Sequence, residues 1–319
     1  MSDYDCAIVF PGQGAQEVGM GRDFRGAYAV SRDVFDEADE AVGFKLSKII
    51  FEGPEDELTK TAITQPAILV TSVAILRAVG HELGKEPRPK FYAGHSLGEY
   101  TALVADGVLT LGDAARLVHK RGALMQEAVP LGEGAMAAVM GLDMAAALEV
   151  CALAAGSEVC GPANVNSPGQ IVISGNAGAV ARAGEIAKER GASRVIPLKV
   201  SAPFHCALMR PVADKLMEAF AACDWKEPKI PIMANADASA KESADAIKSA
   251  LYEQTYKPVL WADGVLSMAG AGAKRFAEFG PGNVLSGLIK RTAKGVPALS
   301  VNKIADVGKA VDFLNGAAQ

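Results

Sequence analysis

Phe91-Tyr92-Ala93-Gly94-His95-Ser96-Leu97-Gly98-Glu99-Tyr100 puts a serine between two glycines at the spacing G-x-S-x-G. Phe91 to Ala93 before it read as a strand, and Glu99 to Ala105 after it as a helix. A nucleophile elbow requires that context, because a sharp strand-to-helix turn crowds the backbone and flanking glycines relieve the crowding. Such a turn lifts Ser96 Oγ to the carboxyl end of the strand. It also leaves the Leu97 N–H at a helix N-terminus, where it can serve as an oxyanion donor. The competing reading is a plain turn in which the serine is only small.

Outward from the elbow, short apolar runs alternate with helix-length segments. Cys6 to Phe10, Ile230 to Met233 and Ala298 to Val301 are continuous rather than alternating in hydrophobicity, and Phe91 to Gly94 and Arg275 to Phe279 are two further strand candidates. That pattern predicts strands buried on both faces, as in a parallel sheet covered by helices, so the main body reads as α/β. The middle of the chain follows another rhythm: strand 135–141, helix 143–155, strand 159–164, strand 170–174, helix 177–190 and strand 194–200. Asn166-Ser167-Pro168-Gly169 marks a hairpin between its second and third strands. The order is β-α-β-β-α-β, the ferredoxin-like pattern. It predicts an inserted small subdomain at 129–201, with 1–128 and 202–319 forming the large one.

Behind the first strand, Phe10-Pro11-Gly12-Gln13-Gly14-Ala15-Gln16-Glu17 invites a nucleotide-loop reading. Glu17 stands where the third glycine of G-x-G-x-x-G belongs, and no Gly-Lys-Ser/Thr follows, so neither a dinucleotide fingerprint nor a phosphate loop fits. A tight turn remains, or a loop whose glycines let Gln13 bring its amide close to a neighbouring site. An amide N–H aimed at a developing oxyanion is a known use of glutamine.

A serine nucleophile needs a base, and the chain has four histidines, His81, His95, His119 and His205. His81 lies in a polar, solvated segment. His95 precedes the serine, a poor direction for an in-line base, and can only support the site from behind. His119 sits in a helix beside Lys120 and Arg121. His205, in Ser201-Ala202-Pro203-Phe204-His205-Cys206, lies where the inserted subdomain hands back to the main body, a common cleft position, and leads the four. Cys206 is a rival nucleophile by residue type, but neighbouring residues point apart and cysteine is most often a small buried hydrophobe.

With a net charge of −5 and a pI near 5.5, no global basic field would hold nucleic acid or an anionic membrane. The five cysteines are scattered without a C-x-x-C pair, unlike a disulfide framework or zinc site, and fit a reducing cytoplasm. The start of the chain is acidic, and no apolar run reaches the ~20 residues of a membrane span.

Taken in order, Gly12-Gln13-Gly14-Ala15-Gln16, Gly94-His95-Ser96-Leu97-Gly98-Glu99, Asn164-Val165-Asn166-Ser167-Pro168-Gly169-Gln170 and Pro203-Phe204-His205 resemble the malonyl-CoA:acyl carrier protein transacylases. The resemblance spans nearly the whole chain. It implies an α/β-hydrolase-like large subdomain carrying a ferredoxin-like small one, with the site between them. It implies Ser96 as nucleophile, His205 as general base and acid, and an oxyanion site at the Leu97 amide and Gln13. Arg121, in His119-Lys120-Arg121-Gly122, would hold the malonyl carboxylate; without the resemblance it reads as an exposed helix arginine beside Lys120. Gln254 would orient His205 through its main-chain carbonyl, replacing a triad carboxylate. His95, Asn164 and Asn166 would support these groups. Ala15 and Phe204 stand where serine is frequent in the family, which touches acyl selectivity rather than the reaction.

The implied partners are malonyl-CoA and an acidic acyl carrier protein, in fatty acid synthesis, with no cofactor, no metal, no nucleic acid and no membrane, in a cytoplasmic monomer. Docking an acidic carrier on an acidic chain needs local basic residues, for which Lys188, Arg190, Arg194, Lys290 and Arg291 are candidates. Two rivals remain, a serine thioesterase or esterase on the same elbow and a noncatalytic carrier-binding module.

Overall fold

The computed structural model describes residues 2–130, 132–200 and 202–316. Its larger sheet has six strands, β1 (Cys6–Phe10), β2 (Phe91–Gly94), β7 (Ile232–Met233), β8 (Ala240–Lys241), β9 (Arg275–Phe279) and β10 (Ala298–Val301), in the order β10-β9-β1-β2-β7-β8. All neighbouring pairs are parallel except the short hairpin of β7 with β8. Every residue of β1 is buried, because helices cover both faces. Ile8, Phe10 and Tyr92 join one core with the helices Thr61–Leu83 and Leu97–Asp106, while Ala7, Val9, Phe91 and Ala93 join another with Trp261, Val265 and Leu288. Burying each large side chain of this kind contributes ~1.5–3 kcal/mol.

The second sheet is antiparallel and four-stranded, with β3 (Gly134–Met140), β4 (Cys160–Ser167), β5 (Gln170–Asn176) and β6 (Arg194–Pro197) in the order β4-β5-β3-β6. Helices Met144–Ala155 and Ala177–Glu189 interleave with these strands in the order β-α-β-β-α-β, and the tight turn at Pro168 and Gly169 joins β4 to β5. Ala137, Val139 and Ile173 pack under the helices; Met136, Ala163 and Val172 line the other face, against Phe204. That alternation is the period-two geometry of a strand. Residue 201, where the inserted segment is expected to end, lies outside the described residues.

Some expectations need correction. The run Ile230 to Met233 contributes only two strand residues, since Asp106 caps the amides of Lys229 and Ile230. The helix after the elbow starts at Leu97 instead of Glu99, and β6 stops at Pro197. Thr61–Leu83 is a 23-residue helix long and apolar enough to cross a membrane by length and composition, contrary to the apolar-run count. Thr64, Gln65, Thr71 and Ser72 interrupt the run, yet the mean hydropathy of the helix stays at 1.6, and 89% of its apolar window is buried inside the fold.

Candidate active site

β1 and β2 lie side by side, and their carboxyl ends present the Pro11–Gly14 loop and the elbow to one crevice, where open α/β sheets place their sites. Ser96 has φ 52° and ψ −101°, a left-handed conformation that costs a non-glycine residue energy and persists only when its surroundings fix it. They do so here. The Ser96 amide donates to Asn235 Oδ1 at 2.7 Å, Asn235 Nδ2 donates to the Gly94 carbonyl at 2.8 Å, and Gln254 Nε2 donates to the Ser96 carbonyl at 2.9 Å. The two glycines of the motif are required by space: a Cβ on Gly94 would sit 2.0 Å from the Gly98 carbonyl carbon, and one on Gly98 2.1 Å from the Phe10 carbonyl oxygen. The plain-turn reading accounts for neither the strain nor the interlocking.

Ser96 Oγ lies 2.7 Å from His205 Nε2, and His205 Nδ1 lies 2.7 Å from the main-chain carbonyl of Gln254. A carbonyl can only accept, so the proton sits on Nδ1 and Nε2 is left as the acceptor for the serine proton. His205 is 4% exposed; burial first, and the Arg121 charge second, push its imidazolium down to about 3. The ring is therefore neutral, and available as a base, throughout the neutral range. Of the other histidines, His81 is exposed, and His119 Nδ1 donates to the Ala62 carbonyl at 2.8 Å. Cys206 points away from the reaction centre, donating its thiol to the Pro203 carbonyl, and burial raises its pKa.

Arg121 is 1% exposed. Its guanidinium donates to Gln65 Oε1 at 2.8 Å, to Gln254 Oε1 at 2.9 Å and to Ser96 Oγ at 3.1 Å, and it lies 5.3 Å from the Tyr100 ring centroid. Among the described residues, no carboxylate forms an ion pair with it. The charge of the buried Glu99 acts on it from a distance, but every group bonded to the guanidinium is neutral, so a carboxylate in direct contact would be favoured. Arg121, Ser96, Leu97 and His205 line one cavity of about 450 Å³, with Met136, Leu198 and Phe204 as its apolar wall.

Gln13 lines the same cavity, with Nε2 donating to Thr61 Oγ1 at 3.3 Å. Leu97 opens the helix Leu97–Asp106, so its amide belongs to the first turn, whose N–H groups have no intrahelical partner. His95 Nε2 lies 2.9 Å from Asn166 Oδ1, tying the residue before the serine to β4, and Asn164 lines the cavity. The docking candidates are not gathered here. Lys188 and Arg190 pair with Glu185 and Glu149 on the helical face of the small sheet, opposite the face that carries Met136. Arg194 is exposed at the start of β6. Lys290 and Arg291 are exposed in the last turn of Val284–Thr292, the helix that returns from the end of β9 to the start of β10. The parallel sheet puts that turn at the edge opposite the carboxyl end of β2, remote from Ser96.

Three contributors escaped the sequence reading. Glu99 stood inside the quoted stretch, Asn235 follows one of the two shortest strands, and Gln65 is a buried amide among the few polar residues of a largely apolar helix. The last is the one signal that composition offered. No group of three His, Cys, Asp or Glu side chains among the described residues could hold a metal ion.

A strained serine bonded to an oriented histidine at a helix N-terminus, on a parallel α/β sheet with a small capping sheet, defines an enzyme class that moves acyl groups. Comparison with known proteins narrows it. Residues 7–314 match the acyl transferase domain, and the chain belongs to that family. It is 47% identical over 307 residues to the malonyl CoA-acyl carrier protein transacylase of Escherichia coli K12, covering 96% of this chain and 99% of the relative. The crystal structure of a malonyl-CoA:acyl carrier protein transacylase from Xanthomonas oryzae pv. oryzae is 48% identical with a TM-score of 0.94, over 98% of this chain and 99% of that one. A structure described as a type II PKS acyl-carrier protein in complex with its malonyl-transacylase is 45% identical with a TM-score of 0.92, over 96% of this chain and 99% of that one.

Proposed function

We propose that the chain transfers a malonyl group from malonyl-CoA to the phosphopantetheine thiol of an acyl carrier protein through an ester on Ser96, supplying malonyl carrier for fatty acid synthesis. The observation that carries this reading is the buried Arg121 guanidinium, which opens into the same cavity as the Ser96–His205 pair. A planar guanidinium grips a carboxylate through two parallel charge-assisted bonds, whereas an acetyl group offers it nothing. The malonyl carboxylate would take up the donor now spent on Ser96 Oγ and give the guanidinium a carboxylate in direct contact, which the buried Glu99 nearby does not make.

In the first half-reaction His205 Nε2 accepts the Ser96 proton as Oγ attacks the thioester carbonyl. The oxyanion is held by the Leu97 amide and the Gln13 region, and the proton on His205 leaves with the CoA thiol. In the second, His205 deprotonates the carrier thiol, the thiolate attacks the serine ester, and Ser96 Oγ recovers the proton. The Gln254 carbonyl keeps the imidazole in the required tautomer through both. His95, Asn164 and Asn166 hold the elbow against the small subdomain.

The carrier would dock through basic residues at the cavity mouth. Lys188, Arg190 and Arg194 on the small subdomain remain candidates for a contact that would then reach beyond the mouth, since Lys188 and Arg190 lie on its helical face, and Lys290 and Arg291 are the weakest because of their place at the far edge. The rest of the reading is a cytoplasmic monomer that works without a cofactor. A transferase of this kind exchanges labelled CoA into malonyl-CoA with no carrier present, because the first half-reaction is complete by itself. Exchange that required the carrier would overturn the ping-pong order, and release of free malonate at the exchange rate would indicate a thioesterase.

A further inference from the structure

Beneath the elbow lies a carboxylate that the transfer steps do not use. Glu99 is 1% exposed, and its Oε2 accepts from the Asn235 amide at 3.0 Å and from Gln254 Nε2 at 3.0 Å. Both donors lead to Ser96, since Asn235 Oδ1 receives the Ser96 amide and Gln254 Nε2 also donates to the Ser96 carbonyl. Gln254 thereby has both amide hydrogens committed to acceptors, and its Oε1 must face Arg121, which donates to it at 2.9 Å. A flipped amide would set NH2 against the guanidinium, donor against donor. The same residue holds His205 by its main chain.

We propose that Glu99 is a positioning residue of the transfer reaction: its carboxylate fixes the orientation of the Gln254 amide, and through that amide sets Arg121 and the Ser96 elbow together. The proposal rests on the malonyl-transfer reading, and the Ser96 adduct is read first so that the two fail separately. Its chemistry follows from the acceptor-only character of a carboxylate. Burial raises the Glu99 pKa to about 7, against the opposing hydrogen bonds from Gln254 and Asn235. The charged and titratable groups around it are Arg121 from the helix Leu111–Glu127, Asp237 from the turn after β7, and Tyr100 on its own helix. Above that pH Glu99 is a full acceptor and the counter-charge to Arg121. Below it Glu99 is neutral, a weaker acceptor, and the Gln254 amide loses its lock.

The test is the pH dependence of kcat and KM for malonyl-CoA in wild type, Glu99→Gln and Gln254→Met, with the double variant completing a cycle. Gln254→Met keeps the main-chain carbonyl that His205 needs. Wild type should lose kcat as pH falls through about 7. Glu99→Gln should lack that limb, with kcat down about tenfold and KM moved less, and the double variant should be no worse than the poorer single one. An unchanged acid limb in Glu99→Gln, or additive effects in the cycle, would overturn the proposal. If Glu99→Gln does not fold, as read by its thermal melt, Gln254→Met decides alone. Because Glu99 acts through the Gln254 amide, Gln254→Met should lose the acid limb as well, and a limb that persists in that variant contradicts the role.

Discussion

Around the cavity, the large subdomain sets backbone against backbone, with Gly94 and Gly98 leaving no room for a Cβ, whereas the small subdomain offers a sheet face of Met136, Ala163 and Val172. Every group assigned a part in bond making comes from the first. The second contributes Asn166 to His95 and an apolar wall. Reacting atoms need fixed positions to within a fraction of an ångström, and a close-packed, hydrogen-bonded backbone supplies that. Fit to the acyl group needs only shape, which side chains on an open sheet face supply and can change without disturbing the elbow.

Substitutions should therefore divide by subdomain. The largest effect is expected for Gly98→Ala, because its Cβ would meet the main chain of β1, which cannot yield. Urea unfolding should report a loss of about 3 kcal/mol or more, and malonyl transfer should fall with it. A well-folded, active variant would show that the elbow tolerates repacking. His205→Ala should keep the fold and lower kcat by about 10³ to 10⁴, the contribution of a proton-transfer group of this kind. A loss of only tenfold would move the base elsewhere.

Arg121→Ala should cost malonyl-CoA about 10² to 10³ in kcat/KM and acetyl-CoA far less, since only the former has a carboxylate to lose. Arg121→Lys keeps charge without the fork and should fall between. Equal losses on both substrates would end the carboxylate-clamp assignment. Smaller again, Met136→Ala on the small sheet, and Phe204→Ala packed against it from the large subdomain, should shift preference toward a bulkier acyl group by about tenfold while leaving the rate of malonyl transfer near wild type, as one methyl group in an apolar pocket allows. Charge reversal at Lys290 and Arg291 should leave the KM for the carrier unchanged, given their place at the far edge of the sheet.

The same division explains what the sequence disclosed. Continuous apolar runs in β1, β2 and β10 point to the parallel sheet because burial on both faces leaves a local mark, and the small sheet shows itself through the order of its strand- and helix-length segments and a Pro-Gly turn. Ser96 was legible because a strained turn needs glycines at fixed offsets. Glu99, Asn235 and Gln65 were not, since their roles depend on contacts across 136, 139 and 56 residues of chain, which no local pattern encodes. Arg121 looked like a surface residue for the same reason: its burial comes from the helix Thr61–Leu83 packed over it, and only the family resemblance singled it out.

The central claim is a malonyl ester on Ser96 that passes to a carrier thiol. Intact-protein mass spectrometry after brief mixing with malonyl-CoA, then with phosphopantetheinylated carrier, tests it directly. The account predicts a malonyl adduct on wild type, none on Ser96→Ala, little from acetyl-CoA, and movement of the mass to the carrier. An adduct that survives Ser96→Ala, or one that decays at the same rate with and without carrier, would contradict it.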